Sequence, residues 1–230
     1  MLASWLHFLK FRNDMRYWQD ESVDAIITDV FNQHPQARGQ FQFALRKPLP
    51  QRSYCRQSET DWNFVHRLME EEGLFGFWRQ GKDGKSHTLI VTDDIYALDE
   101  ASSRSPRFSR LGTGSETDAF TQWSGSRTLQ STAHTARTFD YKVPSSVGNP
   151  KETSLPTMSG QGNLPEQTEV YEYTGAYTWL DQARGEQLSR VHLEEWESRA
   201  KRFYAVGGVR GIDAGQRFEL DGHPEHDNDP

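Results

Sequence analysis

Cys55 is the only cysteine in the chain. No disulfide can close within one molecule, and no thiolate zinc site can be built from it, which fits assembly in a reducing cytoplasm. Basic residues are also in deficit: 26 Lys and Arg stand against 33 Asp and Glu, for a formal net charge of -7. A protein that tracks phosphates needs a basic face to displace counterions, so nucleic acid is not an expected partner. Nor does any apolar run reach the roughly 18 residues of a membrane span. Residues 1–11 (MLASWLHFLKF) come closest to a leader, but they have no basic n-region, His7 and Lys10 interrupt them, and no small-residue cleavage site follows. They read as a strand, so export would use a route other than a signal peptide. GxSxG, HExxH and Walker patterns do not occur. Gly112-Thr113-Gly114 and Gly160-Gln161-Gly162 lack the strand before and the helix after that a phosphate cradle requires.

Hydrophobic residues make up only 34% of the chain, yet 7 Trp, 8 Tyr and 13 Phe supply large burial area per residue. Disordered chains are poor in aromatics, so this one folds, with polar surface to spare. Its 230 residues allow one large domain or two subdomains.

Val23, Ile26, Ile27, Val30 and Phe31 recur at helical spacing behind Ser22, an N-cap candidate, and predict a helix over about 22–34 ending near His34-Pro35. Buried at about 1.5 to 3 kcal/mol each, they contribute on the order of 10 kcal/mol gross, far above the helix propensity of β-branched residues. Residues 40–45 (QFQFAL) alternate as a half-buried strand, and residues 52–57 form another. Ser58 and Asp61 mark the start of a second helix, about 59–72, with Trp62, Phe64, Val65, Leu68 and Met69 on its apolar arc and Gly73 as its stop. Glu70, Glu71 and Glu72 crowd its last turn, against the helix dipole, and need cationic partners or solvent. Residues 73–79 and 87–92 flank Asp83-Gly84 as a β-hairpin.

Residues 94–115 read as a connecting loop, 119–123, 126–130, 138–143 and 169–173 as strands, and the proline-rich stretch 144–166 as a mobile excursion. A polar helix is predicted over about 178–201. A last strand pair, 202–206 with 216–220, precedes a flexible tail at 223–230. The class is α+β: antiparallel strands, three helices and long loops, without strict βα alternation.

Groups that could carry chemistry have plain competing readings. His192 and Glu195 are an i, i+3 pair, but no second carboxylate-His pair accompanies them, so they read as a solvated or salt-bridged helix face. His223, His226, Asp227 and Asp229 lie in a tail that would lose ordering entropy on binding a metal. His66, within the second helix, reads as packed or solvated. Glu70 to Glu72 and Asp93-Asp94 could pair as hydrolytic carboxylates, but acids are abundant throughout. Cys55, in a strand, reads as a small buried hydrophobe. No catalytic, cofactor or metal residue is assigned.

Residues 16–27 (RYWQDESVDAII) and, far more specifically, residues 52–78 (RSYCRQSETDWNFVHRLMEEEGLFGFW) resemble the VgrG family, the Rhs-associated tip or spike proteins of type VI secretion. The family signature is matched by Arg52, Tyr54, Cys55, Gln57, Glu59, Asp61, Phe64, Arg67, Leu68, Glu70, Glu71, Glu72, Gly73 and Phe77. HTLIVTDD, DAFTQW, TFDYKVP, EVYEYTG, RGEQLSRVHLEEWE and AGQRFELDGHP follow in the family's order.

The resemblance implies a phage tail hub-like fold of two related β-barrel-like subdomains with inserted helices, residues 1–110 and 111–222. It implies a structural protein rather than an enzyme, with no cofactor. It also implies a homotrimer seated on the Hcp tube, carrying a PAAR-like tip and effectors through C-terminal parts beyond Pro230, assembled in the cytoplasm and then secreted. Family members have strands ahead of the position of Met1 and an OB-like domain and β-helical needle after the hub, so a hub truncated at both ends is expected. The alternatives are a phage or prophage baseplate hub, or a hydrolase effector domain. Pairing of Arg52 or Arg67 with Glu59, Asp61 or Glu70 would suit a scaffold role.

Overall fold

The computed structural model describes residues 3–110, 118–145, 151–156, 168–176, 178–179 and 181–226. The chain forms two compact units, 1–106 with 209–230, and 107–208.

In the first unit, residues 5–11 form a 3-10 helix, Trp5–Phe11, and not the expected strand. It buries Trp5 and Leu9 while Phe11 faces solvent. Strand alternation would place all three on one face. β1 (Asn13–Trp18) follows, and a two-residue β2 (Glu21–Ser22) leads into α1 (Val23–Asn32). The five apolar residues of α1 are all in the core. Ser22 stands at the N-cap without a side-chain hydrogen bond, and Pro35 opens a separate 3-10 turn, Pro35–Ala37.

β3 (Phe41–Ala44), β4 (Gln51–Arg52) and β5 (Cys55–Thr60) come next, and β5 pairs antiparallel with β1. β4 pairs with β2. α2 (Asp61–Glu72) is capped by Thr60, whose hydroxyl accepts from the Asn63 amide at 3.2 Å. Ser58 does not cap it, because it lies inside β5 opposite Met15. At the other end Gly73, at φ 69°, ends α2 in the left-handed conformation that glycine adopts without strain.

β6 (Phe75–Gln80) and β7 (His87–Thr92) make the expected hairpin, and β3 joins β7 in parallel. The core gathers Leu9, the α1 residues, Phe64, Val65, Leu68 and Val91. Trp5 meets Phe31 edge-on at 5.0 Å, and Trp18 stacks on Phe64 at 5.3 Å. The stretch expected as a loop after Asp94 contains a 3-10 turn, Ile95–Ala97, and the short β8 (Asp99–Glu100).

The second unit begins with β9 (Arg107–Phe108), parallel to β10 (Ala119–Arg127). β10 is one strand where two were expected, and Ser124, Gly125 and Ser126 stay in register with its partner throughout. β11 (Ala133–Phe139) lies earlier than the expected 138–143. β12 (Lys151–Pro156) is a strand inside the expected excursion, buried at Thr153, whose hydroxyl meets Ser189 at 2.7 Å. Residues 146–150 and 157–166 of that excursion lie outside the described residues.

β13 (Glu169–Ala176) pairs in parallel with β11, completing the order β12-β11-β13. α3 (Gln182–Ala200) packs on β11 and β12 and starts at Asp181, which accepts from the Arg184 amide at 2.8 Å. Thr178, where the helix was expected to start, instead donates its amide to the Thr138 hydroxyl. β14 (Lys201–Gly207) pairs with β10.

The chain then returns to the first unit, where β15 (Gln216–Arg217) pairs in parallel with β8. The expected pairing of 202–206 with 216–220 therefore does not form. Gly215, at φ 77°, lies so near Phe77 that an added Cβ would sit 2.1 Å from the ring. Leu220 and His223 are buried, so the tail expected to fray from 223 is held at least through His223. The class is α+β, and among the described residues the sheets have two or three strands and none closes into a barrel. Four of the nine pairings among the described residues are parallel, a mix that adjacent hairpins cannot produce.

Candidate functional site

The resembling stretch folds as strand, strand and helix, and its polar side chains converge on the flank of α2. Alternation along β5 turns Cys55 and Gln57 inward and Arg56 and Ser58 outward. Spacing of four along α2 sends Phe64 and Leu68 into the core. The same spacing puts Arg67 beside Glu71 on the flank, joined at 3.0 Å.

Two charge assemblies result. In the first, Arg52 on β4 donates to Glu71 at 2.6 Å and to Glu72 at 2.5 Å. Arg67 donates two hydrogen bonds to Glu59, at 2.8 and 3.0 Å. The Glu72 side chain is fully buried, and its bond to Arg52 helps to offset its desolvation. Burial opposes the charge on Arg52, but hydrogen bonds to Glu72 and Glu71 outweigh it and hold the guanidinium above its ordinary pKa. Arg67 is raised in the same way, with Glu59 and Glu71 overcoming its burial. Thus two of the three carboxylates misplaced for the dipole of α2 are bound by arginines, and Glu70 remains exposed.

In the second assembly, Asp61 is the first residue of α2 and is 1% exposed. Its Oδ1 accepts from Gln57 at 2.7 Å, while its Oδ2 lies 2.7 Å from Nε2 of buried His34 and accepts from Arg12 at 3.4 Å. The helix N-terminus favours this negative charge further. Sequence reasoning missed His34 and Arg12. They lie 27 and 49 residues from Asp61, and no spacing rule joins positions so far apart.

The remaining signature positions fill space or face outward. Cys55 is buried and unpaired with any other cysteine, and burial pushes its thiol up against the pull of Arg52 and Arg67, the reverse of an activated nucleophile. Tyr54 is exposed and stacks on exposed Tyr17 at 6.2 Å, beside exposed Met15 on β1.

The other candidates do not assemble into a reactive centre. His66 stacks on Trp62 and bonds its carbonyl. Glu195 pairs with Arg199 rather than with His192. Asp93 accepts from the Arg46 amide, and Asp94 from that of Tyr96. His223 stacks on His226, while Asp227 and Asp229, like the two Gly-x-Gly triplets, lie outside the described residues. Among the described residues no three His, Cys, Asp or Glu side chains converge as metal ligands, and no helix is long and apolar enough to cross a membrane.

Known proteins supply the context. The spike protein VgrG1a of the type VI secretion system of Pseudomonas aeruginosa is 29% identical over 98% of this chain, and the match covers 34% of that protein. The chain thus spans about a third of the length of the curated relatives it matches. Among solved structures, an E. coli component of the type VI secretion system, described as similar to T4 tail proteins gp27 and gp5, superposes with a TM-score of 0.62 at 15% identity, over 95% of this chain and 44% of that one. A tail protein of Neisseria meningitidis does so with 0.59 at 15% identity, over 94% and 61%. At these identities the likeness is one of fold. The family model described as phage tail baseplate hub (GPD) matches residues 1–230, and the chain belongs to that family.

Proposed function

We propose that this chain is the structural hub portion of a type VI secretion spike, a trimeric base that sits on the Hcp tube and supports effector delivery. What carries this reading is the match to spike proteins over nearly the whole chain. The site geometry supports it: hydrogen bonds among the signature residues tie β4 and β5 to α2, as a scaffold requires. Exposed Met15, Tyr17 and Tyr54 suit a chain that covers apolar surface on assembly.

On this reading the polypeptide has no turnover of its own, needs no cofactor, and leaves the cell through the machine it caps. The signature residues Arg52, Gln57, Glu59, Asp61, Arg67, Glu71, Glu72 and Gly73 act as scaffold. The test is mass photometry with and without purified Hcp rings. Trimers that bind the rings are expected; a stable monomer that ignores them would count against the proposal. The family description favours a second reading, a phage tail baseplate hub. Preference for a phage tail tube protein over Hcp in the same measurement would select it.

A further inference from the structure

His134 sits on the face of the β12-β11-β13 sheet that α3 covers, 3% exposed. Its register neighbours are Leu155 and Val170, both apolar. The imidazole stacks on His192 of α3 at 5.2 Å and meets the edge of Trp196 at 5.6 Å. Its Nδ1 is buried without a partner among the described residues. Nε2 lies 3.8 Å from a Glu172 oxygen on β13, beyond hydrogen-bond length, and that carboxylate is about half exposed. Lys151 of β12 also carries a charge on this face, two rows away opposite Thr138 and 3.8 Å from Asp140.

A neutral ring has one N–H to satisfy in this slot, whereas an imidazolium has two. Protonation would bury a charge beside a second imidazole, with only a solvent-screened carboxylate to compensate it. We infer that His134 is an acid-sensitive clasp, whose protonation releases α3 from the sheet of the second unit.

Burial first, and His192 second, depress the His134 pKa below its ordinary 6.5, and Glu172 recovers only part of that. The unfolded chain therefore takes up the proton before the folded one does. Stability from the neutral ring is full above about pH 6.5 and is lost as the pH falls below it. This holds whether or not the chain serves as a hub.

Hydrogen exchange corrected for intrinsic rate tests it. Protection across Gln182–Ala200 should be lost between about pH 7.5 and about pH 5, in excess of any change across α1. His134→Phe, which fills the slot with a ring that does not titrate, should keep α3 protected at the lower pH. An acid response unchanged in that variant, or a His134 ring that titrates by NMR at or above the ordinary imidazole value, overturns the inference. Should His134→Phe fail to fold, His192→Gln leaves the buried ring in place and removes its neighbour. That variant must move the loss of protection to lower pH, and no movement overturns the inference equally.

Discussion

The two units solve the burial problem differently. The first packs large apolar side chains, with Leu9, Ile26, Ile27, Val30, Phe31, Phe64, Val65, Leu68 and Val91 essentially inaccessible to solvent. Among its buried polar groups, Asp61 accepts from Gln57 and Glu72 accepts from Arg52, while Oε1 of Gln57 is buried without a partner among the described residues. The second unit buries alanines, Trp179 and Leu193, and interleaves them with Thr135, Thr138, Thr153, Ser189 and His134. It also leaves Tyr171 and Tyr173 on β13 and Tyr204 and Val206 on β14 exposed. The apolar part of the first core does not depend on pH or on polar partners, and its buried charges are confined to the flank of α2. A core rich in hydroxyls depends on every hydrogen bond being made.

The largest effect should come from the apolar core. Phe64→Ala removes the ring stacked on Trp18 and should cost about 3–5 kcal/mol in chemical denaturation followed by tryptophan fluorescence. Arg52→Ala should rank next, at roughly 3 kcal/mol, because it removes the guanidinium bound to the fully buried Glu72 carboxylate. The loss should shrink if Glu72→Gln is added, a double-mutant cycle that separates the pair from its surroundings.

In the second unit, Thr153→Val alone leaves the Ser189 hydroxyl buried without its partner and should cost about 1–2 kcal/mol. Thr153→Val with Ser189→Ala removes both hydroxyls and should recover most of that. Failure of the double variant to recover would mean that the hydroxyls matter through shape, and the contrast between the two cores would weaken. The smallest effect should be that of Thr60→Ala, about 1 kcal/mol from loss of the α2 cap, read as a shift of the denaturation midpoint without a change of slope.

Local pattern made part of this structure legible in advance. The i, i+3, i+4, i+7, i+8 spacing of Val23, Ile26, Ile27, Val30 and Phe31 specifies α1 and its buried face together. Gly73 and Asp83-Gly84 mark a helix end and a hairpin because few other residues adopt those backbone angles. The apolar density of residues 5–11 suits strand or helix, and only the fit of Trp5 and Leu9 into the α1 core decides between them. Thr60 displaced Ser58 as the cap because β5 uses Ser58 in its pairing with β1. Of the site, the arginines and carboxylates near 52–72 could be named, and Arg67 with Glu59 was among the foreseen pairs. The pairing of Arg52 with Glu72, and of His34 and Arg12 with Asp61, could not.

By itself the sequence determined the class of the chain, its family and its main helices, because periodicity, capping and a long motif are properties of neighbouring positions. Tertiary structure alone decided which strands run parallel, that residues 209–226 return to the first unit, and that His134 is buried against α3. Those outcomes depend on contacts between positions tens of residues apart, where the free energy comes from mutual burial and carries no local signature.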